Sequence, residues 1–202
     1  MIKEICTELR DRLQFNGDLP YIDVYAGLVQ TVQYKQTDAN DNPITKRMPV
    51  SYDTNIAADC GGPEKALTPD SRKKGIIYFE DNGGVVTVKE LSGGRTMYRA
   101  NLMLVCWLNR KRITDDTYAV IGKNAFDGIK AKLLSNLKPS NYTNLKVNIN
   151  RFRQEPNIFS KYSYDETVLQ FLRPPFEYFA IELTASFITT CATEININPN
   201  NC

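Results

Sequence analysis

The chain has 202 residues, of which 42% are hydrophobic, with 11 Tyr and 9 Phe; this supplies one substantial core and excludes an unfolded protein. Its 25 basic and 23 acidic residues are mostly interspersed and leave a formal charge of +2, so no global field gathers a polyanion, and no apolar run approaches the roughly 20 residues that span a bilayer. The absence of histidine removes the commonest general base near neutral pH and the commonest transition-metal ligand.

The first element is an amphipathic helix over residues 2 to about 15. Ile2, Ile5, Cys6, Leu9 and Leu13 form one stripe, and Lys3, Glu4, Glu8, Asp11 and Arg12 lie largely outside it. Acidic residues among the apolar ones are foreign to a signal peptide, so synthesis in the cytoplasm is expected. Asn16-Gly17 supplies a stop, reinforced by Pro20. A strand is predicted from Tyr21 through Lys35, with Gly27 marking a bulge or close packing.

Residues 36–75 are rich in turn formers and poor in periodicity, and read as a long loop or arm excursion within a single domain of residues 1–202. Such a loop is expected to contact a partner or a neighbouring subunit. Two short strands, GIIYFE and VVTVKEL, follow, with Asn82, Gly83 and Gly84 composing a hairpin turn between them. Gly93-Gly94 then turns the chain into a half-buried strand: Tyr98, Ala100, Leu102, Leu104, Cys106 and Leu108 point one way, Arg99, Asn101 and Asn109 the other.

Thr114, Asp115 and Asp116 can cap a second helix, whose stripe is Tyr118, Ile121, Ala125, Ile129 and Leu133 and which ends before Pro139. LKVNINRF reads as a strand, residues 154–164 as a polar aromatic stretch, and FEYFAIELTASFITTC as a final alternating strand after Pro174-Pro175. In that strand Phe179, Ile181, Leu183, Ala185 and Phe187 share one face. The fold class is α+β: a mainly antiparallel sheet packed by an N-terminal and a central helix, with its polar side toward solvent or a neighbouring subunit.

Candidate chemistry is sparse. Asp38, Asn40, Asp41 and Asn42 resemble calcium ligands, but an EF-hand counted from Asp38 needs Gly and Glu where Pro43 and Pro49 stand, so a turn is the reading. Cys60-Gly61-Gly62-Pro63 has no histidine to activate its thiol and also reads as a turn. The remaining cysteines, Cys6, Cys106, Cys191 and Cys202, are scattered without CxxC spacing; Cys106 and Cys191 read as small core residues. The glycine-rich pieces NGG and SGG lack the phosphate-loop signature.

Arg72, Lys73 and Lys74 form one basic run, and Arg110, Lys111 and Arg112 another. Short charge runs usually line solvated loops, yet these two support an alternative reading as a nucleic-acid-associated module. Tyr162, Tyr164, Phe171, Phe176, Tyr178 and Phe179 read as core or interface rather than a base-stacking platform. No catalytic, cofactor-binding or metal residue is assigned.

The element order, from the N-terminal helix through a strand, long loop, hairpin, the strand at Leu102 to Trp107, a helix and closing strands ending in FEYFAIELTASFIT, resembles the tail terminator (tail completion) proteins of long-tailed bacteriophages. Related head-to-tail joining and neck proteins share such elements. The resemblance implies a non-enzymatic virion component at the head-tail junction: a homo-oligomeric ring, a hexamer, that caps the tail tube and contacts the tube protein and the head connector. DNA would pass through without being read, and no membrane or cofactor is implied.

Overall fold

In the computed structural model the described residues are 1–15, 19–37, 41–52, 66–113, 121–135, 143–164 and 166–190. In chain order they form α1 (Ile2–Gln14), β1 (Val24–Thr37), β2 (Pro43–Ser51), β3 (Gly75–Leu91), β4 (Arg95–Asn109), α2 (Ile121–Leu134), β5 (Thr143–Arg153) and β6 (Phe176–Thr190). The strands make a six-stranded sheet of order β2-β1-β3-β4-β6-β5. Only the β1–β3 pair is parallel. The architecture is α+β with a mainly antiparallel sheet, as the periodicities predict.

One face of the sheet carries the two helices. Ile5, Cys6, Leu9 and Leu13 of α1 and Ala125, Ile129 and Leu133 of α2 pack with Phe79, Leu102, Leu104, Cys106, Phe179, Ile181 and Leu183. Leu104 and Leu183 are 0% and 1% exposed. Each such side chain contributes about 1.5–3 kcal/mol on leaving water, before the entropy of ordering is charged against it. Of the two readings of Gly27, bulge or close packing, the bulge fits the β1–β3 register, which shifts between Tyr25 and Leu28.

Four expectations require correction. Glu8 and Arg12, placed outside the α1 stripe by spacing, are buried at 8% and 5% exposure. They lie one turn apart, with Arg12 Nε 3.9 Å from Glu8 Oε1, and burial lowers the Arg12 pKa against the opposing pull of Glu8. Their long stems let polar ends sit inside the apolar layer's edge.

The excursion over residues 36–75 is not wholly loop. Residues 43–51 form β2, antiparallel to β1 from Val29↔Ser51 to Thr37↔Pro43, and Ala66 and Leu67 are buried in the body at 5% and 0% exposure. Turn-forming composition hid a strand whose exposure alternates, with Ile44, Lys46 and Met48 half-buried and Pro43, Thr45 and Arg47 exposed. Residues 53–65 lie outside the described residues, as do Asn16-Gly17, Thr114 to Tyr118, Pro139 and Cys191 to Cys202.

GIIYFE and VVTVKEL are one strand, β3, rather than a hairpin. Both halves pair with β4, and Asn82, Gly83 and Gly84 form a bulge between Asp81↔Leu102 and Val85↔Ala100. Gly83 and Gly84 take φ values of 127° and 73°, a region that L side chains resist. The Asp81 carboxylate accepts hydrogen bonds from the amides of Gly83 at 3.1 Å and Gly84 at 2.5 Å. The turn itself comes later, at Gly93-Gly94, as predicted.

The second face of the sheet is only partly open. Tyr78, Val105, Trp107 and Ala180 are buried beneath Ile158, Phe159, Tyr162, Tyr164 and Leu67, with Phe171 and Leu172 alongside. The aromatic stretch after β5 therefore forms a third layer, begun by a 3-10 turn at Pro156–Phe159 and anchored where Trp107 Nε1 donates to the Phe171 carbonyl at 2.7 Å. Beyond this layer the face is polar: Arg99, Asn101, Thr184 and Lys146 occupy it, with Asn150 Nδ2 donating to Thr184 Oγ1 at 2.8 Å.

Candidate functional site

The most concentrated polar chemistry lies under the third layer. Glu80, on β3 one step beyond the apolar pair Ile76 and Tyr78 of the same face, is 3% exposed. Its carboxylate accepts the Tyr162 hydroxyl and pairs with the Lys161 ammonium. The Tyr162 and Tyr164 rings stand 5.7 Å apart, and Lys161 Nζ lies 5.3 Å from the Tyr162 centroid. Burial pushes the Tyr78, Tyr162 and Tyr164 hydroxyls well above the ordinary phenol range, and the Glu80 charge adds to it. A neutral phenol is a donor, not a nucleophile, and here the Tyr162 hydroxyl is the one that donates to the carboxylate; with the Lys161 ion pair it fastens the third layer to the sheet.

A second polar group lines a surface cleft of about 280 Å³ beside the cis Pro174-Pro175 bond. Arg110 donates from Nε and Nη2 to Glu177 Oε2 at 2.8 and 2.6 Å, and Gln154 Nε2 donates to Glu177 Oε1 at 3.1 Å. These groups satisfy one another, so the cleft has no convergent set of donors awaiting a ligand.

The two basic runs, 38 residues apart between Ser71 and Asn109, meet at one end of the sheet. Register explains it: Gly75 faces Leu108, so the run before β3 and the run after β4 leave adjacent strands at the same end. Buried Asn109 ties them, its amide donating to the Lys74 carbonyl at 2.7 Å and its Nδ2 to the Ser71 carbonyl at 3.3 Å. Arg112 Nε donates to the same Ser71 carbonyl at 2.7 Å. Within the runs, Lys73 pairs with Asp70 at 3.1 Å and Arg72 with Asp70 at 3.3 Å. Burial raises the Asp70 pKa, but the contacts with Arg72 and Lys73 outweigh it and the net shift is downward.

The fourth feature is an arm. β1 pairs with β3 only at Val24, Tyr25 and Leu28, yet continues against β2 to Thr37. At its base the Ser163 amide donates to the Arg47 carbonyl at 2.8 Å. Past that point, cross-strand pairs such as Tyr34↔Lys46 and Lys35↔Thr45 belong to a two-stranded ribbon.

Of the residues considered from sequence, Asp41 has φ 63° and Asn42 follows it in the β1–β2 turn, where the turn reading holds. Asp38, Asn40 and Cys60 to Pro63 lie outside the described residues. Cys106 is buried, and burial pushes its thiol pKa up. Tyr162, Tyr164, Phe171, Phe176 and Tyr178 belong to the second core cluster and Phe179 to the first. Sequence reasoning missed Glu80, Lys161 and the Arg110–Glu177 pair. A signal for the first existed, since the unbroken apolar run GIIYF marks a strand covered on both faces.

No family model matches the chain, and no curated protein matches it. Among the described residues no helix is long and apolar enough to cross a membrane.

Proposed function

We propose that this chain is a structural ring protein of the phage tail terminator class, closing the tail tube at the head-tail junction by binding and geometry. The observation that carries the reading is the β1–β2 arm. It leaves the sheet after Leu28 and extends as a ribbon whose outer residues Gln33, Lys35, Thr45 and Arg47 are exposed. An isolated two-stranded ribbon is marginal in water, so an arm of this length gains most by lying across a neighbouring subunit. The open polar face around Arg99, Asn101 and Thr184 offers a second surface of the kind that solvated, non-obligate contacts use.

A head-to-tail contact closes into a ring when the rotation between subunits is an integer fraction of a turn, and otherwise grows as a filament. A terminator has to match the tube on one side without repeating that side on the other. Mass photometry of the purified chain should show particles at six times the 23.0 kDa protomer mass. Phage assembled without it should have tails of uncontrolled length, or tails that fail to join heads. A monomer at every concentration, together with uniform, head-joined tails in its absence, would overturn the reading.

A further inference from the structure

We propose that the basic end of the sheet, built from Lys74, Lys111 and Arg112 with Arg72 beside them, is a contact surface for the phosphate backbone of duplex DNA. The inference goes beyond the ring reading and does not depend on it.

Three observations carry it. First, the β3–β4 register joins two runs that are individually too short to hold a polyanion; together they place exposed cations on two neighbouring loops. Strands in a sheet lie about 4.8 Å apart, so the cations fall within the span of a few phosphates. Second, the loops are fixed in place. The Asn109 bonds to Ser71 and Lys74, the Arg112 bond to Ser71, and the Lys74 amide bond to Asp23 Oδ2 at 2.5 Å hold the backbone. Ordering therefore costs little when a partner binds.

Third, among the described residues the carboxylates Asp70 and Glu177 are paired with other cations, Asp70 with Arg72 and Lys73 and Glu177 with Arg110; Asp23, which accepts the Lys74 amide, keeps its charge but is outnumbered by Lys74, Lys111 and Arg112. Among the described residues, no carboxylate lies within ion-pair distance of the Lys74, Lys111 or Arg112 side chain. Duplex is favoured over single strands because, among the described residues, Trp107 and Phe176 near this end stack on each other at 5.6 Å rather than offering a face to bases. Backbone contact of this kind carries no sequence information.

The test is fluorescence anisotropy of a labelled duplex of about 20 base pairs with the full chain, over about 50 to 200 mM salt, because phosphate contacts give an affinity that falls with salt by a slope of about 0.9 per contact. Lys74→Glu with Lys111→Glu should weaken binding at least about tenfold at the low-salt end and make the slope shallower by about 2. Lys3→Glu with Lys89→Glu makes the same change in net charge on exposed residues of α1 and of the far end of β3, outside both proposed contact surfaces, and should leave binding within about twofold. Arg112→Lys should retain affinity. Thermal midpoints matched to the parent establish that each variant is folded. The proposal is overturned if the parent shows no salt-dependent binding at about 50 mM, if the two double variants lose affinity equally, or if polyglutamate competes as well as DNA. Ring formation is read separately by particle mass, so failure of either proposal is recognisable without the other.

Discussion

The Tyr162 hydroxyl donates to the Glu80 carboxylate across 82 residues of sequence, a polar tie between the aromatic layer after β5 and the middle of the sheet. Glu80 sits where the second face passes from apolar to polar. Removing the hydroxyl leaves a buried carboxylate short of a donor, which costs more than the bond itself is worth. Tyr162→Phe should therefore destabilise the protein by about 1–3 kcal/mol in urea denaturation. Trp107, the only tryptophan, lies under the same layer and reports its detachment. An unchanged midpoint and unchanged emission would show that the cluster does not secure the layer.

The same tyrosines make stability sensitive to alkali. Tyr78, Tyr162 and Tyr164 ionise at about 10 when unfolded, as a free phenol does, but burial raises their pKa in the folded chain. A raised folded pKa gives stability that is whole below pH 10 and lost as pH rises above it, by about 1.4 kcal/mol per pH unit for each group. Unfolding free energies measured from pH 8 upward should be flat and then fall, with a shallower fall in Tyr162→Phe. A flat profile to pH 11.5 would contradict the burial of these hydroxyls.

Leu104 faces Ile181 and Leu183 faces Leu102 across β4 and β6, so the two leucines are diagonal neighbours in the helix-covered core. Either Leu→Ala change should cost about 2–5 kcal/mol, the upper end applying where the cavity cannot collapse. Chemical denaturation checks it, and a loss below about 1 kcal/mol in both would mean the layer is loosely packed.

Replacing residues 33–46 by a short turn should leave a folded protomer with a near-parent melting temperature, because the removed ribbon lies past the Ser163–Arg47 bond. Particle mass should fall from the ring to the single chain. A truncated chain that still forms rings would place the subunit contact elsewhere; one that fails to fold would make the arm part of the core.

How much was legible in the sequence follows from where each residue's neighbours come from. Leu102 to Leu108 and Phe179 to Phe187 alternate so regularly that their shared face could be read directly. β2 alternates too, with Ile44, Met48 and Val50 on its less exposed side, but Lys46 interrupts that side and Pro43 and Pro49 argue against a strand. At Asn82-Gly83-Gly84 turn chemistry was read correctly as a break in strand geometry and wrongly as a reversal, since bulge and turn both require positive φ. The basic runs were visible as residues, but their meeting depends on the pairing of Gly75 with Leu108, and strand register between distant segments leaves no trace in either segment alone.

β6 is made after the other five strands, yet it lies inside the sheet, paired with β4 along its whole length and with β5 on its other side. Until it arrives, β4 has one free edge and its apolar side chains have no cover from Phe179 to Phe187. Because closing so long a loop is entropically slow and earns nothing until the strands meet, a nascent chain that stops short of residue 190 is a sticky, half-edged intermediate. Arrival of β6 is thus the step that closes the sheet, and chains that lack it carry the exposed edge that favours aggregation.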